Sequence, residues 1–363
     1  MPLGGGTPPP ERNVSLAEND AFGGPGLPGI DRAGVTDWLT AHADLDLPLR
    51  YEPLSGGRSN LTVRIVDARG RAWVLRRPPT VGVLPSTHDV AREHRIISAL
   101  AQTPVPVPVS VGLCEDSSVT GAPFYVMEAL TGHVLRTKED AAALSVSARA
   151  TLSLSLVSTL ATLHAIDPAT TKLADLGRSD GYLARQLRRL HGGFEARGTR
   201  ELPLVAELRH RLADQIPQQQ RTSIVHGDYR LDNVIASNDG QIIAVLDWEL
   251  CTLGDPLVDL AMLHVFWLEP GDEAIPSLSS PTTLDGFGTR ADILHHYASL
   301  TGLDLEALPT YLAFAFWKLA IILDGVHARY RSGAYDDAPE AYEQLGAAVP
   351  RLLERGHDAL TGR

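Results

Sequence analysis

Residues 224–236 read IVHGDYRLDNVIA. A histidine, an arginine, two aspartates and an asparagine crowd the path between two short apolar runs. Such a stretch is either a polar turn or a site. Asp228 and Asn233 are five residues apart on it, and Asp247 follows fourteen residues after Asn233, at the end of the apolar run in QIIAVLDWEL. Hairpin pairing of 234–236 with 242–246 across the turn NDGQ brings Asn233 beside Asp247. An amide oxygen next to a carboxylate is a hard-oxygen pair suited to Mg²⁺, which keeps waters and takes its other ligands from phosphates. Asp228 is then left to face a substrate. Phosphoryl transfer asks for this division: metal ligands neutralise phosphate charge, and a separate carboxylate receives the hydroxyl proton.

The elements that must position these groups follow from the patterning. Asp31 is placed to cap a short helix in DRAGVTDWLTAHAD. Strands are expected at 49–55, 61–68, 71–77, 109–115 and 123–129, with SGGRSN and RG joining the first three. Val90, Ile96, Ile97 and Leu100 fall on a helical period in STHDVAREHRIISALAQ, which TPVPVPV ends. From 141 the chain is largely helical: 146–166, 181–197, 201–216, 256–268, 289–301, 308–331 and 338–360, interrupted by a strand-rich island at 223–247. The fold class is therefore α+β, a small antiparallel-sheet lobe with one main helix (31–129) ahead of a larger helical lobe (130–363). Clefts between lobes favour ligands.

Three linked motifs in order, HGDYRLDN, LDWE and GDPLVDLA, resemble the aminoglycoside phosphotransferase-like branch of the protein-kinase-like superfamily. The resemblance implies a two-lobed kinase-like fold and an ATP- and Mg²⁺-dependent phosphotransferase, with GTP left open as the donor. It makes Asp228 the general base, Asn233 and Asp247 the metal ligands, and His226, Asp255 and Asp259 structural supports. In the small lobe, Ser55, Gly56, Gly57, Ser59 and Asn60 of LSGGRSN are expected to cradle phosphates. The template's strand lysine is absent: AWVLRRPP places Arg76 there, with Glu93 as its helix partner. Arg keeps the charge but is bulkier than Lys and not interchangeable with it. Arg77 is the fallback, since strand neighbours face opposite ways. FYVMEALTG resembles the hinge that holds adenine, through Met127 and the backbone of Glu128 to Leu130.

A closer resemblance over most of 45–335 is to the phosphotransferase domain fused to certain acyl-CoA dehydrogenases and to its free-standing bacterial relatives. It implies a hydroxyacyl thioester of coenzyme A as acceptor, and a partner protein for any dehydrogenase step. The residues 178–200 carry six Arg against Asp180 and Glu195, with Arg185, Arg188 and Arg189 at i, i+3 and i+4. Such a set suits phosphates or remains a solvated helix face. Arg230, Lys318 and His327 are further acceptor-side candidates, the last two interrupting an otherwise apolar helix. The rival readings are a kinase for an aminoglycoside or amino alcohol, and a nucleotide-binding pseudoenzyme scaffold.

Hydrophobic residues at 44% and charged residues at 21% are the ordinary mixture of a soluble globular protein. Net charge is −12, which argues against nucleic acid or an anionic membrane as the main partner. Two distant cysteines, Cys114 and Cys251, suggest reduced thiols in a cytoplasmic protein. No apolar run approaches a membrane span in the sequence reading. The Gly- and Pro-rich residues 1–30 lack the apolar core of a secretory signal and read as a disordered tail.

Overall fold

The computed structural model describes residues 27–54, 60–79, 89–178, 180–198, 200–273, 275, 280–331 and 339–362. Ser55, Gly56, Gly57 and Ser59, and most of the 1–30 tail, lie outside the described residues.

The small lobe opens with α1 (Arg32–His42), capped by Asp31, whose carboxylate accepts from the Ala33 and Gly34 N–H groups. Five strands follow: β1 (Arg50–Pro53), β2 (Leu61–Val66), β3 (Ala72–Arg77), β4 (Ser110–Cys114) and β5 (Phe124–Glu128). They form one antiparallel sheet in the order β1-β2-β3-β5-β4. Between β3 and β4 runs α2 (Val90–Leu100), capped by Asp89. Strand alternation divides the sheet's side chains. Val63, Ile65, Trp73, Leu75 and Val126 pack with Val35 and Leu39 of α1 in one core. Tyr125 and Met127 join Ile96, Ile97 and Leu100 of α2 in a second core, which continues through the large lobe. The sequence places α2 in the small lobe; its packing belongs equally to the large one. Arg92 donates to the carbonyls of Glu249 (3.2 Å) and Cys251.

The large lobe contains α3 (Lys138–Ala142), α4 (Val146–Ala165), α5 (Tyr182–Arg197), α6 (Pro203–Asp214), α7 (Leu257–Phe266), α8 (Arg290–Thr301), α9 (Leu308–Arg331) and α10 (Pro339–Thr361). Four short strands belong to the same lobe: β6 (Ser223–Val225), β7 (Val234–Ala236), β8 (Ile242–Val245) and β9 (Thr252–Gly254). β6 pairs with β9 and β7 with β8, so the sequence-derived hairpin is present, while β9 was missed. By length and composition α4 and α9 are both apolar enough to cross a membrane, contrary to the sequence reading. They are core helices here: α9 buries Tyr311, Phe314 and Trp317 against α5, α6, α7 and α10.

The turn of the β7–β8 hairpin is also what docks it. Gly240 has φ +87°, and a β-carbon there would overlap the Ala148 carbonyl at the start of α4. Gly240→Ala should therefore lower the unfolding free energy by about 2–4 kcal/mol, through backbone strain and the clash together. Urea denaturation reads it; a midpoint equal to wild type would contradict this packing.

Candidate active site

The loop between β6 and β7 is built around one buried carboxylate. Asp259, in the first turn of α7, accepts the His226 N–H at 2.6 Å and the Gly227 N–H at 2.8 Å. A third donor is His164 Nε2 at 3.2 Å, whose Nδ1 meets the Tyr297 hydroxyl at 2.7 Å. Burial alone would raise the Asp259 pKa; the His164 hydrogen bond and charge, with the loop N–H groups, hold it below the usual carboxylate range. His226 is a brace and not a proton carrier. Its Nδ1 accepts from the Asp228 N–H at 3.2 Å, so its Nε2 carries the proton and donates to the Leu246 carbonyl at 2.8 Å. The Tyr229 hydroxyl anchors the loop to α4 through the Leu156 carbonyl at 2.8 Å. Asp255 supports the same region from the Tyr311 hydroxyl (2.6 Å) and caps the Leu257 N–H.

That frame sets the polar tip. The Asn233 amide nitrogen donates to the Asp228 carbonyl at 2.8 Å and to Asp228 Oδ2 at 2.9 Å. With its donors spent, Asn233 keeps Oδ1 for a ligand. Asp228 is about one-third exposed, and its Oδ1 has no partner among the described residues. The Asn233 carbonyl accepts from the Leu246 N–H at 2.8 Å, which puts Asp247 alongside. Asp247 is the one non-glycine with positive φ among the described residues, at +63°. Holding it there costs about 1–3 kcal/mol. The segment after it repays this: Trp248 is buried against the His226 ring at 4.8 Å and donates to the Val245 carbonyl.

From the small lobe, Arg76 reaches across. One terminal nitrogen sits 2.7 Å from Glu93 Oε1 and the other 3.3 Å from Asp247 Oδ1. The pair is nearly closed to water, with side-chain exposures of 12% and 1%. Burial pushes the Glu93 carboxyl up while Arg76 pulls it back. Burial would depress the Arg76 pKa, but Glu93 and then Asp247 outweigh it and hold the guanidinium above its usual range. Arg77 turns the other way, donating to the Thr120 carbonyl at 2.6 Å, so the fallback is excluded as the cleft cation.

The remaining sequence candidates are distributed unevenly. Met127 lies buried on β5 opposite Val74. In the hinge, the Glu128 N–H is committed to Val109 and the Ala129 N–H to Ala72, which leaves the Leu130 N–H as the available donor. Arg230 belongs to the same loop, 3.4 Å from Asp228 and 3.1 Å from Asp232, with its guanidinium 4.6 Å over Phe266. Asp232 itself is raised by burial, with Arg230 opposing. Lys318 is not in an open acceptor pocket; it lies beneath the loop with Nζ 2.7 Å from the Gly227 carbonyl. His327 is elsewhere, against Gly346 of α10 and 3.6 Å from Glu343. On α5, Arg185 is half-buried and donates to the Arg178 carbonyl, Arg189 is exposed and bonds Gln186, and Arg188 is exposed. Tyr182 packs on Gly254 of β9, and Arg185 and Arg189, three and seven residues on, fall on the same side of the helix. The anchoring residue Arg92 was missed, because no local pattern marks a contact 157 residues away.

Arg76 Nε and Asn60 Oδ1 are buried without hydrogen-bond partners. With both terminal nitrogens of Arg76 on carboxylates, its Nε–H is the donor left over, and it fits a phosphate oxygen. Asn233 Oδ1 and the Asp247 carboxylate fit a hard divalent cation whose other ligands are water and phosphate oxygens. No group of three His, Cys, Asp or Glu could hold a metal among the described residues, so this is no all-protein cage.

The model of the phosphotransferase enzyme family matches residues 50–300. Mouse acyl-CoA dehydrogenase family member 10 is 34% identical across 86% of this chain, and human family member 11 is 31% identical across 84%. The chain spans only 29% and 40% of those proteins' lengths. Among solved structures, a Ralstonia eutropha protein named for the aminoglycoside phosphotransferases superposes with a TM-score of 0.76, at 31% identity over 92% of this chain and 98% of its own. The amicoumacin kinase hAmiN, solved with AMP-PNP, Ca²⁺ and Ami, shares the fold at a TM-score of 0.58 and 17% identity, over 91% of this chain and 94% of its own. With the Asp228, Asn233 and Asp247 set assembled in one cleft of a two-lobed kinase-like fold, the chain belongs to the phosphotransferase enzyme family.

Proposed function

We propose that this phosphotransferase moves the γ-phosphoryl group of ATP directly onto the hydroxyl of an anionic small molecule, a hydroxyacyl thioester of coenzyme A. The observation that carries the choice of acceptor is the basic face of α5. Arg185 and Arg189 sit one turn apart on the Tyr182 side of α5, and Arg189 is within electrostatic reach of Lys318, which lies under the catalytic loop. Phosphate groups of coenzyme A suit such a face, and a polycationic acceptor does not. The sequence relatives support the same class, since both are named as acyl-CoA dehydrogenase family members.

In this reading the acceptor hydroxyl rests on the unpartnered Oδ1 of Asp228. Its oxygen attacks the γ-phosphorus, the bond to the β,γ-bridging oxygen breaks, the proton passes to Asp228, and ADP leaves. Asn233 and Asp247 would hold Mg²⁺, which supplies charge neutralisation on the phosphates. Arg76, fixed by Glu93, turns its free Nε–H toward phosphate oxygen, aided by the loop from Ser55 to Asn60. The Leu130 N–H would meet the adenine edge. Catalysis is thus positioning and electrostatics.

Asp228→Asn should keep ATP affinity and lower turnover by about two to four orders, the scale of a lost general base; near-wild-type turnover would remove this assignment. The acceptor is tested by measuring ADP formation with Mg-ATP over hydroxyacyl-CoAs, aminoglycosides, macrolides and amino alcohols. Only the thioesters should turn over. Arg185→Glu and Arg189→Glu should each raise the thioester KM about tenfold or more, as loss of a charge-assisted contact implies, with Arg188→Glu, roughly 120° round the helix from Tyr182, as the near-silent control. Turnover of an antibiotic or amino alcohol alone would transfer the function to that acceptor.

A further inference from the structure

Gly227 precedes Asp228 and has both of its polar groups held by buried charges of opposite sign. Its N–H goes to Asp259 Oδ1 at 2.8 Å, and its carbonyl accepts from Lys318 Nζ at 2.7 Å. The two charges come from different helices, α7 and α9, and are 0% and 8% exposed as residues. No larger residue fits at Gly227. Its φ is +87°, and a β-carbon there would lie 2.9 Å from the Leu250 carbonyl oxygen and Cβ.

Lys318 is costly where it stands. Around it α9 is packed by Phe314, Ala315, Trp317, Leu319 and Ile321. Lys318 forms no ion pair within 4 Å of a carboxylate among the described residues, and the Gly227 carbonyl is its hydrogen-bond partner. Burial pushes its ammonium toward the neutral form; Asp228 and Asp259 oppose this, and Arg189 adds to it. An apolar side chain would fill the same space without desolvating a charge. The cation is accounted for if its task is the loop.

We propose that Lys318 is a positioning residue for phosphoryl transfer: with Asp259 it clamps Gly227 between opposite charges and so fixes where the Asp228 carboxylate stands. The clamp acts on placement of a reacting group, so its loss falls on kcat and leaves substrate affinities alone. This rests on the reading of Asp228 as the hydroxyl-orienting carboxylate.

The test is Lys318→Met in the full chain, followed by hydrogen–deuterium exchange. Exchange over residues 226–233 should rise at least tenfold, while peptides from β2, β3 and α8 exchange as in wild type. Affinity for a fluorescent ATP analogue should stay within twofold. ADP formation with a hydroxyacyl-CoA should show kcat reduced ten- to a hundredfold and acceptor KM within twofold. If the methionine variant does not fold, Lys318→Gln is read in the same way. Wild-type exchange over 226–233 in a folded variant, or an effect on KM with kcat intact, overturns the clamp. Loss of the Asp228 reading would appear separately, as full turnover by Asp228→Asn with the exchange result unchanged.

Discussion

A single ionised carboxylate, Asp259, organises the centre of this molecule. A charge taken so far from water is tolerated only with its lone pairs satisfied. Asp259 meets that condition with two backbone N–H groups and one histidine, near the positive end of α7. The two N–H groups belong to consecutive residues, so satisfying the charge dictates the path of the loop. Everything chemical then follows at short range. His226 turns back onto Leu246, Asp228 emerges toward the cleft, and Asn233 closes on Asp228 from five residues away.

The second organising contact joins the lobes. Arg76 from β3 meets Glu93 of α2 and Asp247 of the large lobe at once. A lysine, with one compact ammonium, would have to share a single point between two carboxylates; the planar fork meets each with its own nitrogen. Substitution of Lys by Arg therefore does more than preserve charge. It ties the left-handed Asp247 to the small lobe, while Arg92 fastens α2 to the Glu249 and Cys251 carbonyls. The helix that carries Glu93 is thus held to the large lobe through both Arg76 and Arg92.

Much of this was legible because it is local or motif-bound. The spacing within HGDYRLDN and the strand-end Asp247 specify their own neighbourhood, since a short hairpin with a glycine turn has few registers. Asp31 as a cap, the β2–β3 turn and the main helices are likewise written in nearby residues. What was not legible depends on distant packing. An all-round apolar helix announces that α9 is buried, but not which turn lies under which loop. Lys318 and His327 therefore read alike in sequence, yet one meets Gly227 across 91 residues and the other meets α10. Arg185, Arg188 and Arg189 of α5 share a face by spacing, and only the packing of Tyr182 on Gly254 of β9 shows which side of the helix meets the protein. The three-residue β9 carries too little pattern to be seen without its partner β6.

In the function proposed for this protein, transfer is direct: one carboxylate receives the hydroxyl proton and no covalent phosphoenzyme forms. The most direct measurement is the stereochemical course at phosphorus, using ATP made chiral at the γ-phosphate with oxygen isotopes. Inversion of configuration in the phosphorylated acceptor is the predicted result, because a single in-line displacement inverts once. Retention would mean two displacements, with Asp228 or another side chain phosphorylated on the way, and would contradict the role given to this loop.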